Sequence, residues 1–145
     1  NYDSLSAKLA NLGSKLIIKS LNLIETNNFE LIDQDETKAT YAGKINKKES
    51  KIDWNIPAKK LIAKINGLSP FPGAWFEHKK KRIKILEALE VEQTGETGEI
   101  LDDNLTIACK EKAIKVLSVQ KEGKKILKTK EFLSGYLVRK GEKLI

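Results

Sequence analysis

The clearest indication of fold class lies in residues 74–90, AWFEHKKKRIKILEALE. Ile83 and Ile85 alternate with polar residues, and such alternation is typical of a strand with one buried face. A polar tip, His-Lys-Lys-Lys, separates this segment from the apolar residues before it. The stretch therefore predicts a β-hairpin with strands at 74–77 and 82–90.

Short apolar segments continue on the carboxyl side of this hairpin. They predict strands at 99–102, 105–109 and 113–120, the last two joined by a tight turn at 110–112. Short strands separated by turn residues at close spacing are typical of small barrels and sandwiches. The carboxyl-terminal part of the chain is therefore expected to be mostly β.

Helical patterns flank these strands. Residues 57–67 predict a helix, since Pro57 suits the first helical position and Gly67 suits the end. A last helix is predicted at 129–137. The fold class expected from these elements is mostly β with flanking helices, an OB-like small barrel with an inserted helix.

The amino-terminal part of the chain has a different character. Its leucines recur at helical spacing and predict a helix with one apolar stripe, formed by Leu5, Leu9, Leu12 and Leu16. The polar, turn-prone residues that follow indicate a linker. The expected organisation is residues 1–25 as a helix, 26–50 as a linker strap and 51–145 as the OB-like domain.

Charge is distributed unevenly along the 145 residues, which carry a net charge of +7. The first 37 residues hold three basic and six acidic side chains, a net charge of −3. The remaining residues hold 24 basic and 14 acidic side chains, a net charge of +10. A block this basic favours binding to polyanions, nucleic acid first among them.

Composition also bears on compartment and completeness. With one cysteine the chain forms no internal disulfide, which fits a reducing compartment. No stretch approaches the roughly 18 apolar residues of a membrane helix, and no signal peptide is visible, so the expected location is cytoplasmic without membrane contact. The absence of methionine, even at position 1, favours a fragment of a longer protein.

Few side chains suit catalysis. His78, the single histidine, lies in the polar hairpin tip and is expected to be an ordinary surface residue. Cys109 lies in an apolar strand pattern, which predicts a buried, inert thiol. Asp102 and Asp103 precede a turn and are interpreted as turn residues. The sequence predicts no catalytic residue and no metal site in this chain.

Several short motifs occur along the chain in a characteristic order. Residues 34–45, QDETKATYAGKI, and the triplet Ile52-Asp53-Trp54 resemble two successive segments of methionyl-tRNA formyltransferases. The turn 69–75, SPFPGAW, is similar to a further family motif. Additional similar segments are Lys84–Ala88, Gly98–Leu101, Gly123–Lys125, Glu131–Tyr136 and Gly141–Leu144. The resemblance covers nearly the whole chain.

The resemblance implies that catalysis and tRNA docking belong to two different domains of the parent enzyme. In that family an amino-terminal Rossmann-like domain binds 10-formyltetrahydrofolate and carries an Asn/His/Asp catalytic set, and the first helix of this chain is similar to the helix that closes that domain. The resemblance therefore implies a monomeric fragment that lacks its catalytic domain, is inactive alone, needs no cofactor of its own and docks initiator tRNA in translation initiation.

Candidate RNA contacts follow from the lysine clusters, since cationic side chains neutralise phosphates with little sequence preference. The aromatic residues Trp54, Phe71 and Trp75 are instead expected to pack in the core or in turns. The candidate tRNA-binding residues are Lys47, Lys48, Lys51, Lys59, Lys60, Lys64, Lys79, Lys80, Lys81, Arg82, Lys121, Lys124 and Lys125.

Three alternatives remain open from the sequence. The chain is also compatible with a stand-alone OB-type RNA-binding module, although an unmatched leucine stripe does not suit a self-sufficient domain. The carboxyl-terminal domain of a related folate-dependent formyltransferase shares the architecture. A basic globular domain whose lysines are merely solvated is the third.

Overall fold

A computed structural model describes residues 1–46 and 48–144. The chain divides into two compact units, residues 3–45 and the remainder. The first unit contains most of helix α1, Tyr2–Glu25, and a single 3-10 turn at Glu36–Lys38. None of the residues of α1 is buried, and its predicted leucine stripe is exposed.

The second unit is built around five strands. They are β1 (Ala74–His78), β2 (Lys81–Val91), β3 (Thr106–Ala108), β4 (Ala113–Lys121) and β5 (Ile126–Lys128). All pair antiparallel in the order β1-β2-β4-β3, with β5 also on β4. Two helices accompany the sheet, α2 (Ala58–Leu68) and α3 (Thr129–Ser134).

Strands β1 and β2 form the predicted hairpin. Lys79 and Lys80 both have positive φ, 51° and 58°, the conformation of a two-residue turn whose twist matches the strands. The register places His78 opposite Lys81 and Phe76 opposite Ile83. Alternate residues face the core from this point, which fixes Arg82 and Lys84 on the other face of β2.

Helix α2 covers the inner face of the sheet. Its apolar residues recur at helical spacing, and Ala58, Leu61, Ile65 and Leu68 are buried. They pack in one core with residues of β2 and β4, among them Ile83, Ile85, Ile114 and Val119. Burial of each such side chain stabilises the fold by about 1.5–3 kcal/mol before the entropy of ordering is subtracted.

The mostly β architecture with flanking helices is confirmed. The pairings of the described residues follow an open path from β1 to β3, so the OB-like barrel stays a prediction. The predicted strand at 99–102 is reduced to isolated bridges at Glu99 and Ile100, the last helix ends at Ser134 instead of 137, and β5 was not predicted.

Candidate nucleic-acid interface

Three lysines from the candidate set meet where β2 and β4 lie side by side. Lys81 begins β2, Lys121 ends β4 opposite Ile83, and Lys124 follows in the next turn. The positive charge of Lys81, together with burial and Lys124, lowers the pKa of Lys121 below its ordinary value. These side chains, called here the lysine triad, therefore create a local positive potential that an anion would relieve.

A shallow cavity of about 250 Å³ adjoins the triad. Basic side chains from both strands surround it, and only one acidic residue does so. Its lining residues are Arg82, Lys84, Gln120, Lys121, Glu122 and Gly123. The cavity is therefore a concave, cationic feature on the surface of the second unit, of the kind that attracts phosphate groups.

The outer face of the hairpin, which carries Arg82 and Lys84, also carries aromatic rings. The Arg82 guanidinium lies 4.0 Å from the centroid of the Trp75 ring, on the adjacent strand. The Lys84 ammonium lies 5.8 Å from the centroid of the Phe71 ring. Both distances are within the range of cation–π attraction. Cations and rings therefore alternate on one face.

A buried histidine anchors the opposite side of the hairpin. His78 is 8% exposed, its Nε2 lies 2.8 Å from Glu142 Oε2, and its Nδ1 lies 3.1 Å from the Tyr136 hydroxyl oxygen. The expectation of a surface histidine was wrong, because its partners come from residues about 60 positions later. Both ring nitrogens are occupied, so His78 is not available as a general base.

Tyr136, which contacts His78, also contacts the lysine triad. The Lys121 ammonium lies 5.6 Å from the Tyr136 ring, and that ring stacks on Phe132 at 4.7 Å. Burial alone would raise the pKa of Glu142, but hydrogen bonds from His78 and the backbone N–H of Arg139 more than offset this and lower it. Glu142 is thus held as a carboxylate beside the hairpin.

Some predicted lysines have other partners. Lys79 donates a 2.8 Å hydrogen bond to the Leu137 carbonyl and lies 3.7 Å from Glu142, so it binds the carboxyl-terminal segment. Lys64 donates a 2.8 Å hydrogen bond to the Lys51 carbonyl, which joins two predicted clusters into one. Lys79 and Lys64 are therefore less free to contact RNA than their positions in the sequence suggest.

The other candidates are dispersed over several elements. Lys59 and Lys60 are exposed on α2, Lys80 is exposed at the hairpin turn, and Lys48 and Lys125 are exposed in loops. Lys47 lies outside the described residues. The structure therefore brings together four of the predicted residues most directly, namely Lys81, Arg82, Lys121 and Lys124.

Sequence reasoning missed two members of this surface. Lys84 lies two residues after Arg82 on the same strand, and strand periodicity alone places both on one face. Phe71 was expected to pack, but it is 79% exposed, whereas Trp54 is buried against Phe76 as expected. No local pattern marks Phe71 as exposed, because the two prolines beside it only indicate a turn.

The remaining candidates for chemistry are structural. The Cys109 side chain is buried, and this burial raises the pKa of its thiol to about 11. Asp102 accepts hydrogen bonds from the backbone of Asn104 and from Thr106, which confirms its turn role. Within the described residues no group of three or more His, Cys, Asp or Glu side chains could hold a metal ion.

A second, larger depression of about 710 Å³ lies between the segment 51–55 and the loop 95–97. Its charges are mixed, and Lys143 forms a 3.0 Å ion pair with Glu96 at its edge. It therefore lacks the net positive character of the triad surface. Across residues 1–46 and 48–144, no helix is long and apolar enough to cross a membrane.

Known proteins provide independent evidence on relationship. Methionyl-tRNA formyltransferases are similar to this chain at 41% identity in Bradyrhizobium diazoefficiens, 46% in Nitrobacter hamburgensis and 41% in Pelagibacter ubique, over 94%, 88% and 99% of the chain. The matched regions amount to 45%, 42% and 47% of those proteins. The chain thus spans less than half the length of these relatives.

Solved structures share the fold. HypX from Aquifex aeolicus in complex with tetrahydrofolic acid matches with a TM-score of 0.65 at 21% identity, over 82% of this chain and 22% of that protein. A variant of the same HypX matches with a TM-score of 0.66 over 83% of this chain. A family model described as the formyl transferase C-terminal domain matches residues 44–137, including the hairpin and the lysine triad. This chain therefore belongs to the family of formyl transferase C-terminal domains.

Proposed function

We propose that this chain is the tRNA-docking part of a methionyl-tRNA formyltransferase. The observation that supports this most directly is the cationic cavity, because basic side chains of two paired strands, Arg82 and Lys84 of β2 and Lys121 of β4, line it together. The similar methionyl-tRNA formyltransferases supply the identity of the polyanion. Methionyl-tRNA is thus the proposed ligand.

Binding would proceed through the phosphate backbone. Lysine and arginine side chains neutralise phosphates and release condensed counterions, so affinity falls steeply with salt and carries little sequence information. The proposed contacts are the lysine triad, Arg82 and Lys84. Lys51 and Lys64, together with the other exposed lysines of α2, would extend this surface. Alone, the chain is proposed to bind tRNA weakly and without preference for the initiator.

The reaction of the whole enzyme is proposed to be transfer of a formyl group from 10-formyltetrahydrofolate to the amino group of methionyl initiator tRNA. Residues of this chain would contribute by holding the tRNA. His78 and Cys109 do not suit catalysis, because one is fully hydrogen-bonded and the other is buried and protonated. Folate binding and catalysis are therefore assigned to the portion of the relatives that this chain does not match.

The organisation expected from sequence remains part of this proposal. Residues 1–25 would belong with the catalytic portion, residues 26–50 would be the linker, and residues 51–145 would form the docking domain. We also propose a monomeric state and a cytoplasmic location, of which the location follows from a role in translation initiation.

A second candidate is the carboxyl-terminal domain of another formyltransferase that uses folate. The fold likeness to HypX, solved with tetrahydrofolic acid, is the observation that favours it. The two candidates differ in whether this surface binds RNA. They are therefore separated by a single binding measurement.

The test is tRNA binding followed by fluorescence anisotropy at several salt concentrations. We expect equal affinity for initiator and elongator tRNA and a linear fall of log K with log salt. Lys81→Glu combined with Lys121→Glu should weaken binding at least tenfold and reduce the salt slope by roughly two.

A matched control uses two exposed lysines of the β3–β4 hairpin. Lys110→Glu combined with Lys115→Glu makes the same change in net charge outside the proposed surface. If the control weakens binding as much as the triad variant does, net charge and not the triad is responsible. If the unmodified chain binds no tRNA at low salt, the proposal fails.

A further inference from the structure

Phe71 has an unusual position for a large apolar side chain. It is 79% exposed, while Ser69 and Gly73 on either side of it are buried. The Gly73 N–H donates a 2.8 Å hydrogen bond to the carbonyl of Leu68, which ties the turn to the last residue of α2. An ordered turn therefore holds the Phe71 ring in solvent.

A cation accompanies this ring. The Lys84 stem passes over Gly73 so closely that a Cβ atom there would lie 2.6 Å from Lys84 Cδ. Its ammonium then reaches to 5.8 Å from the Phe71 centroid. Gly73 has φ +83°, a backbone conformation that favours glycine, and a side chain at this position would collide with Lys84. Lys84 can therefore lie this close to the turn only because residue 73 is glycine. The turn and the lysine thus form one preorganised unit.

The cations around the Phe71 ring indicate the chemistry of its partner. Phe71 borders Lys84, and the neighbouring Trp75 ring is already covered by Arg82. An apolar protein surface docking here would have to desolvate both cations without a counter-charge. A nucleic acid offers flat rings for Phe71 and phosphates for the cations together. Charge complementarity therefore favours RNA.

We propose that Phe71 is a stacking platform for an unpaired base of the bound RNA, with Lys84 binding the adjacent phosphate. The assignment rests on the proposed function and refines it. Bases in the interior of a duplex are covered by their neighbours on both faces, so an unpaired nucleotide presents its face to the ring more readily than a paired one. A rigid turn reduces the ordering cost of such a contact.

The experiment compares two RNAs, a short blunt duplex and the same duplex with an unpaired 3′ extension that contains 2-aminopurine. Phe71→Ala should weaken binding of the extended RNA about tenfold and leave the blunt duplex unchanged. It should also restore 2-aminopurine fluorescence that stacking quenches. Phe71→Trp should retain both properties, and Phe71→Leu should lose them.

Leu89→Ala is the matched control, since Leu89 is an exposed apolar residue of β2 away from the turn. It should leave both affinities unchanged. Equal affinities of Phe71→Ala and the unmodified chain for the extended RNA would overturn the stacking assignment, as would an equal loss on both RNAs. Failure of the unmodified chain to bind either RNA would instead overturn the proposed function itself.

Discussion

The Tyr136 hydroxyl donates a 3.0 Å hydrogen bond to the main-chain carbonyl of His78, a residue 58 positions earlier. The same oxygen lies 3.1 Å from Nδ1 of the His78 ring. One phenol thus fixes both the backbone and the side chain of the residue that ends β1. The carboxyl-terminal segment is thereby attached to the hairpin next to Lys121.

Tyr136→Phe should lower the free energy of unfolding by about 1–3 kcal/mol, because it leaves the His78 carbonyl and ring nitrogen without this partner. Urea denaturation followed by circular dichroism measures the change. Tyr41→Phe is the control, since Tyr41 is 97% exposed, and it should have no effect. An unchanged stability of Tyr136→Phe would show that water replaces the hydroxyl without loss.

Alkaline pH should destabilise the protein through Cys109. The unfolded thiol ionises near its ordinary pKa of 9.0, whereas burial raises the pKa of the folded thiol to about 11. Ionisation above pH 9 therefore favours the unfolded chain, so this contribution to stability is complete below pH 9 and is lost as pH rises to 11. The loss should reach roughly 2–3 kcal/mol.

Lysine and tyrosine side chains also titrate in this range, so the informative quantity is a difference. Cys109→Ala should show a shallower fall in the free energy of unfolding between pH 9 and pH 11 than the unmodified chain. Parallel slopes would refute the assignment to the thiol. A disulfide reagent should also react with Cys109 only when the protein unfolds.

Lys80→Gly should stabilise the protein by about 1 kcal/mol, because Lys80 has φ +58°, a conformation that costs glycine little. Thermal unfolding measures the gain. Lys140→Gly removes the same charge from an exposed turn position that does not have positive φ, and it should bring no gain. A stabilisation of both variants would point to relief of charge repulsion instead.

Gly98→Ala should be strongly destabilising. Gly98 has φ +82°, and an added Cβ would lie 2.5 Å from the main-chain oxygen of Leu144. Strain and overpacking together should cost roughly 2–4 kcal/mol. Gly135→Ala is the comparison, since Gly135 has φ −120° and open space around it. A cost below about 0.5 kcal/mol at Gly98 would mean that the last residues move aside freely.

The hairpin was predictable because its cause is local: Ile83 and Ile85 alternate with polar residues, and both are buried. His78 was not, because its burial depends on Tyr136 and Glu142, which no pattern around residue 78 reveals. Phe71 was mispredicted in the opposite sense, since it was expected to be packed and is exposed. A lone aromatic between prolines is ordinarily packed, and only the assembled turn determines that this ring points outward.

The candidate site was likewise predictable only where its residues are neighbours in the sequence. Clusters contiguous in sequence were visible, but the convergence of Lys81 with Lys121 depends on the β2–β4 register, which pairs residues about 40 positions apart. Lys79, by contrast, looked equivalent to its neighbours and instead binds Leu137. Tertiary pairing therefore selects among lysines that the sequence presents as alike.

The mutual repulsion within the lysine triad has a thermodynamic consequence. The fold holds these three like charges closer together than the unfolded chain does, so their repulsion is greater in the folded protein. A polyanion that binds the triad removes the repulsion only in the folded protein. Ligand binding and folding are therefore linked, so the proposed RNA ligand should raise the thermal stability of this domain.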